Sequence, residues 1–123
     1  METSPQVEKR NLDSPDERRP AGAGEGKVIN LGGLTFLHMT LQPGWRWSKD
    51  VKPIAKTESC QAAHVGYVIS GRLHGVMDDG TEVDVGPGDF YSIAPGHDAW
   101  VVGDERFVGF EFESRSAEEY AKG

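Results

Sequence analysis

The chain of 123 residues contains a single cysteine, Cys60, and no apolar run that approaches the ~20 residues of a membrane-spanning helix. One cysteine excludes an internal disulfide framework. Cations are also scarce, since 13 Lys and Arg stand against 20 Asp and Glu, which gives a net charge of -7. Binding to nucleic acid or to anionic membranes depends on clustered cations, so we expect neither as a partner. The first thirty residues have no apolar signal-peptide core, which predicts a cytoplasmic protein.

Large aliphatic residues and phenylalanine are nearly absent from residues 1–27, where only Val7 and Leu12 occur. Such a segment buries too little apolar surface to offset its ordering entropy, which predicts a flexible N-terminal segment over 1–27. A single helical turn is predicted at Ser14–Glu17, which combines a capping serine, a proline and a glutamate. Residues 114–123 are predicted to form a C-terminal tail or a short helix.

Glycine, by contrast, is abundant, at 16 of 123 residues against a usual ~7%. Between residues 28 and 113, short apolar stretches alternate with turn signals about every 8–12 residues, as is typical of two-sheet β-proteins. We therefore predict one all-β domain of two antiparallel sheets over 28–113. Asp79-Gly80 predicts a β-hairpin, and Gly71 is interpreted as the turn between two paired strands. A strand is predicted at Gly44–Trp47, followed by a loop over 48–56.

The three tryptophans are candidates for the wall of a ligand pocket. Trp45 and Trp47 alternate with Arg46, so in an extended strand they share one face. Either they pack in the core, as aromatic side chains commonly do, or they line a cavity. Trp100 is a third candidate, although it has the opposite strand parity from His97.

Two glycine-containing segments resemble the signatures of the cupin family. In the second signature, Gly88 and Gly96 fit the glycine positions with every spacing intact. Ala94 then occupies the usual proline position, Ala99 the metal-binding histidine and Gly103 the asparagine. The resemblance covers about residues 28–113 and implies a cupin jelly-roll β-barrel.

The first signature fits from its closing glycine, Gly71, backwards. His64 then occupies the usual glutamate position, Cys60 the second histidine and Glu58 the first. All four metal-ligand positions therefore differ from the usual residue types, including that of Ala99. The resemblance implies a metal site but no particular reaction.

From the residues themselves, the candidate metal ligands are Cys60, His64 and His97, with Glu58 nearby. Thiolate, imidazole and carboxylate are ordinary ligands of divalent metals, and this set suits zinc best. Residues four apart in a strand lie ~13 Å from each other, so Cys60 and His64 can share an ion only if the chain turns over 61–63. His97 lies two residues before Ala99 and so shares its side of the strand.

Alternative interpretations of these residues remain open. Cys60 can be a small buried apolar residue, His64 a polar core residue and His97 a turn residue bonded to the backbone. The protein would then be a metal-free ligand-binding or sensing module instead of a metal-binding protein. A small molecule in the barrel cavity is expected as partner in both cases. His38 and His74 rank lower as candidates.

A homodimer is predicted from the outward side of one strand. If His64 points inward, then Val65, Tyr67 and Ile69 point outward, joined by Val76 if the strands on either side of Gly71 pair. That face is too apolar for water, and symmetric dimers are the commonest assembly.

Overall fold

Two antiparallel β-sheets form the body of the computed structural model, which describes residues 6–112. The C-terminal tail or short helix predicted over 114–123 lies outside the described residues. The elements in chain order are β1 (Glu17–Ala21), β2 (Gly24–Leu31), β3 (Leu34–Leu41), α1 (Trp47–Asp50), α2 (Lys52–Ala55), β4 (His64–Ser70), β5 (Leu73–Met77), β6 (Glu82–Val85), β7 (Phe90–Ile93), β8 (His97–Val101) and β9 (Phe107–Phe112).

The larger sheet has six strands in the order β1-β2-β3-β9-β4-β7, and the smaller has three in the order β6-β5-β8. Inward-facing side chains of both sheets form one core, with Phe107, Leu37 and Val68 fully buried at its centre. The prediction of two antiparallel sheets is therefore confirmed.

Within residues 6–112, strand pairing does not close the two sheets into a barrel, which corrects that part of the fold prediction. The free edge of β8 meets only two isolated bridges, Arg46 opposite Trp100 and Cys60 opposite His97. Continuous pairing is interrupted because two short helices, α1 and α2, occupy most of the chain between these bridges. The prediction of a loop over 48–56 is thus wrong, as is that of a strand extending to Trp47.

The chain before residue 28 is more ordered than predicted. Strand β1 pairs with β2 along its whole length, so the prediction of a flexible segment is wrong for residues 17–27. Glu17 begins β1 instead of ending a helical turn. The strand needs few apolar residues because only Arg19 and Ala21 are buried. Glycine at position 24 also allows the indole of Trp45 to pack closely, since a Cβ there would lie 2.8 Å from Nε1.

Two predicted turns have different outcomes. The hairpin at Asp79-Gly80 is confirmed: Gly80 has φ 92°, and its N–H donates to the Met77 carbonyl over 2.9 Å. Gly71, however, connects β4 in one sheet to β5 in the other, so these strands do not pair. The outward face predicted for a dimer consequently loses Val76, which lies on β5.

Among residues 6–112, no helix is long and apolar enough to cross a membrane.

Candidate metal centre

Cys60 and His97 are brought together by the isolated bridge at the free edge of β8. The Cys60 N–H donates to the His97 carbonyl over 2.7 Å, and the His97 N–H donates to the Cys60 carbonyl over 3.3 Å. Residues paired in this way in an antiparallel ladder direct their side chains to the same side. Along β8, His97 and Ala99 are buried, which confirms that both face the core.

His64, the first residue of β4, completes the cluster. Its Nε2 lies 3.5 Å from the Cys60 Sγ, so the chain does turn over 61–63 as the metal hypothesis requires. The atoms of Cys60, His64 and His97 that could bind a metal ion all lie within 4.8 Å of one another. Ligands of a tetrahedral zinc ion are separated by about 3.3–3.8 Å, so the ligand atoms need to shift by roughly 1 Å at most.

Both histidines are oriented by a hydrogen bond at Nδ1. The His64 Nδ1–H donates to Glu111 Oε1 over 2.8 Å, and the His97 Nδ1–H donates to the Ala94 carbonyl over 2.8 Å. Nε2 of each ring is left as the ligand atom. A carboxylate or carbonyl behind the imidazole is the usual arrangement around metal-binding histidines.

Glu111 is buried to 1% exposure and is shared between two side chains. Besides His64, the Tyr91 hydroxyl donates to its Oε2 over 2.6 Å. Burial and the Glu111 charge raise the pKa of Tyr91 well above its usual range. The phenol therefore stays protonated and keeps donating to the carboxylate.

The charges of this cluster shift the pKa values of both Cys60 and His64. Burial alone would raise the pKa of Cys60, but hydrogen bonds from His64 and His97 and their charges lower it to about 6. Burial would likewise lower the pKa of His64, yet the Glu111 charge and hydrogen bonds to Cys60 and Glu111 raise it to about 10. The site thus favours the thiolate, which is the form that binds metal.

Two predicted site residues lie elsewhere. The Glu58 side chain is 99% exposed and forms a 3.4 Å ion pair with Lys52, because residue 58 precedes the bridge that turns Cys60 inward. Trp100 faces outward, as its strand parity requires: its ring lies 4.8 Å from that of His74, and the Arg46 guanidinium stacks over it at 4.2 Å.

Glu111 and Tyr91 are members of the site that the sequence prediction missed. Strand parity on β9 could have identified Glu111, because every second residue of that strand is buried, namely Phe107, Gly109 and Glu111. An acidic residue in the inward register of an apolar strand needs a buried partner. Glu111 lies opposite Gly66 on β4, two residues beyond His64.

A cavity of about 470 Å³ opens at the candidate metal centre. Trp45 and Trp47 both line it, and they are 4% and 5% exposed. Trp45 reaches it from the position before the Arg46 bridge and Trp47 from the start of α1, so the two do not share one strand face. Other apolar lining residues come from both sheets, namely Met39, Leu41, Leu73 and Ile93. The cavity is thus mostly apolar, and its polar lining outside the cluster consists of Thr57 and Gln61.

Solved structures with similar folds include a Rhizobium leguminosarum protein of unknown function, which is 21% identical with a TM-score of 0.60 over 87% of this chain and 95% of its own. A sugar phosphate isomerase from a cupin superfamily, from Silicibacter pomeroyi, is 20% identical with a TM-score of 0.61 over 85% of this chain and 74% of its own. A mutant of Bacillus subtilis oxalate decarboxylase is 17% identical with a TM-score of 0.62 over 92% of this chain and 31% of its own. No family model matches the chain, and no curated protein sequence does.

These likenesses show that the chain has a cupin-type fold. The chain spans about a third of oxalate decarboxylase, and at these identities the likeness extends to architecture alone. Within that fold, the three side chains that converge at the cavity form a possible metal-binding group.

Proposed function

We propose that the protein binds one divalent metal ion, zinc, through Cys60, His64 and His97, and holds a small molecule beside it in the cavity. The observation that supports this proposal most strongly is the hydrogen bonding of the two histidines. Nδ1 of both His64 and His97 donates to an oxygen acceptor, which leaves Nε2 of each ring as the ligand atom. A thiolate with two imidazoles suits the borderline softness of zinc.

Three protein ligands leave one position of a tetrahedral zinc ion for water or an organic ligand. Glu58 does not fill that position, because its side chain is exposed and paired with Lys52. A zinc ion with an open position supplies Lewis acidity toward a bound oxygen atom. The site is therefore of the open type found in catalytic proteins and not of the closed structural type.

Cobalt substitution tests the proposal, because Cys60 is the only cysteine in the chain. Untagged protein titrated with Co²⁺ is expected to show a thiolate-to-cobalt charge-transfer band, and the sole source of that band is Cys60. Stoichiometric Zn²⁺ should then displace the cobalt and abolish the band. Metal analysis of the untagged protein should give one ion per chain.

Three variants test the three proposed metal ligands, and a fourth variant is the control. Cys60→Ser should remove the charge-transfer band, while His64→Ala and His97→Ala should weaken metal binding by 10-fold or more, on the order of one lost ligand. His74→Ala is the matched control, since its ring lies outside the cavity. Unchanged cobalt spectra in the Cys60→Ser protein, or no cobalt binding by the native chain, would contradict the proposal.

A metal-free binding module is the second candidate, and the cavity itself favours it. A volume of about 470 Å³ lies in the usual range of small-molecule sites whether or not a metal is bound. This function predicts that the Cys60→Ser protein binds its ligand as tightly as the native chain. Loss of ligand binding together with loss of metal would support the metal-dependent function instead.

We further propose that the protein assembles as a homodimer through the outward face of β4 and β7. Val65, Ile69 and Phe90 are 47%, 42% and 75% exposed there, and the rings of Phe90 and Tyr67 lie 4.7 Å apart. A two-fold axis buries the same apolar patch on both copies. Light scattering at high micromolar concentration should give a dimer, and Phe90→Glu should give a monomer. A monomeric native chain would contradict the assembly.

A further inference from the structure

The charges around the cavity select the class of molecule that fits it. We infer that the cavity binds a neutral, predominantly apolar molecule carrying a single polar oxygen, and that it discriminates against phosphate esters and carboxylates. The inference rests on the proposed function only for the polar end, where the metal would meet that oxygen. The selection against anions follows from side chains that are present with or without a metal.

Among the described residues that line the cavity, none is a lysine or an arginine. The only carboxylate is Glu111, which is buried and held by His64 and Tyr91. The His64 ring is already held between Cys60 and Glu111. An anion that leaves water for such a cavity therefore loses its hydration without gaining a cationic partner of its own. Phosphate and carboxylate sites normally supply arginine or lysine for this purpose.

Several cations lie close in the chain to lining residues. Lys56 is exposed, the Arg72 guanidinium lies against Gly86, and two others pair with carboxylates. Lys52 precedes the lining residue Ala55 on α2, but its ammonium pairs with Glu58 at 3.4 Å. Arg46 lies between the two tryptophans of the wall, yet its guanidinium pairs with Asp98 at 3.3 Å. Neither therefore contributes a counter-charge to the cavity interior.

A metal ion held by the cluster would leave the cavity without excess positive charge. A divalent ion together with one thiolate and the Glu111 carboxylate has no net positive charge. An anionic ligand would add uncompensated charge to an apolar enclosure. A neutral ligand, in contrast, gains the contact area of Trp45, Trp47 and the aliphatic lining while presenting one oxygen to the polar end.

The experiment compares 1-naphthol with 1-naphthyl phosphate, which share one ring system and differ in charge. Calorimetric titrations are performed on the metal-free and on the zinc-loaded full chain. We expect 1-naphthol to bind both forms, and 1-naphthyl phosphate to bind each at least about tenfold more weakly. Equal or tighter binding of the phosphate overturns the inference, and so does failure of 1-naphthol to bind either form.

A pair of neighbouring alanines sharpens the test. Ala62 lines the cavity and Ala63 does not, although both are partly buried. Ala62→Lys should raise the affinity for 1-naphthyl phosphate by about tenfold or more, whereas Ala63→Lys should leave it unchanged. An equal gain in both variants would show that charge inside the cavity does not set the selection.

The outcomes separate this inference from the metal proposal. If no metal binds but the metal-free chain still prefers 1-naphthol, the metal proposal fails and the neutral-ligand inference stands. If cobalt and zinc bind as proposed but the phosphate is preferred, the metal proposal stands and the inference fails.

Discussion

Two histidines of this protein each form hydrogen bonds with two side chains. The inner histidine, His64, has buried partners, whereas the surface histidine, His74, has exposed ones. His64 lies between the Cys60 thiol and a carboxylate that is only 2% exposed. His74 lies between Asp84 and Glu82, at 2.6 and 2.7 Å, and these carboxylates are 73% and 61% exposed. The surface ring uses both nitrogens on carboxylates, whereas the inner ring keeps Nε2 directed at a sulfur ligand. The two histidine side chains are 13% and 16% exposed, so it is the burial and the type of their partners that give the rings different roles.

The largest difference should appear when the carboxylate of each pair is removed. Glu111→Ala leaves the buried His64 charge without its partner, and we expect a loss of about 3–5 kcal/mol in the free energy of unfolding. Glu82→Ala removes a solvated partner of His74 and should cost no more than about 0.5 kcal/mol. Urea unfolding of chelator-treated proteins measures both. Similar losses in the two variants would remove the distinction between the inner and the surface histidine.

A second test adds one methyl group beside each cluster. A Cβ at Gly66 would clash with the Phe110 carbonyl and lie 2.7 Å from the Tyr91 hydroxyl, so Gly66→Ala must displace the partner of Glu111. We expect a loss of about 1–3 kcal/mol.

The matched control is Gly75→Ala, next to His74 on β5. Its Cβ would meet only a Val83 methyl at 3.3 Å and the Asp98 carbonyl at 3.7 Å. Thermal unfolding should therefore show a clearly smaller shift for this variant. A larger effect at position 75 than at position 66 would contradict the packing described around Tyr91.

Removing one hydroxyl is a smaller perturbation of the inner cluster. Tyr91→Phe deletes the 2.6 Å hydrogen bond to Glu111 while keeping the ring, and should cost about 1–2 kcal/mol. Tyr67→Phe, on the outer face of the same sheet, is the control and should change stability by less than about 0.5 kcal/mol. Chemical unfolding at neutral pH compares the two, and an equal cost would show that Glu111 does not depend on the phenol.

The sequence predicted the ligand atoms of the inner cluster better than their surroundings. Cys60 and His97 follow from strand parity and signature spacing, and His64 follows once a turn is assumed at 61–63. Glu58 was placed by the spacing of the first signature. That spacing failed there because the segment leaves a helix and pairs with β8 only at the Cys60 bridge. Glu111 was missed because its partners lie on β4 and β7, and only the pairing of β4 with both β9 and β7 brings them together.

The fold shows the same division between local and long-range information. Turn residues such as Gly80 specify a local backbone conformation, so the β5–β6 hairpin was predictable. Gly71, in contrast, packs against the backbone of Arg106 and Phe107, which are distant in the chain, so the change of sheet at Gly71 was not visible in the local sequence. Strand β1 and the part of β2 before residue 28 were missed because their stability comes from pairing and not from their own composition.

The smallest predicted effect is the pH dependence that His74 contributes. Hydrogen bonds to Asp84 and Glu82 raise the pKa of His74 above its usual value of 6.5. A raised pKa in the folded state means that the stabilisation is fully present below the pKa of the unfolded chain and is lost as pH rises through the folded value. The free energy of unfolding of the native chain should therefore exceed that of the His74→Ala variant by about 0.5 kcal/mol or less near pH 5.5. Near pH 8.5 the difference should be smaller. High salt should reduce this pH-dependent part because the carboxylates are exposed, while packing of the ring on Trp100 leaves an offset that does not vary with pH. A stability difference that grows with pH would mean that neutral His74 is the favoured partner of these carboxylates, which contradicts the charged network described for the surface histidine.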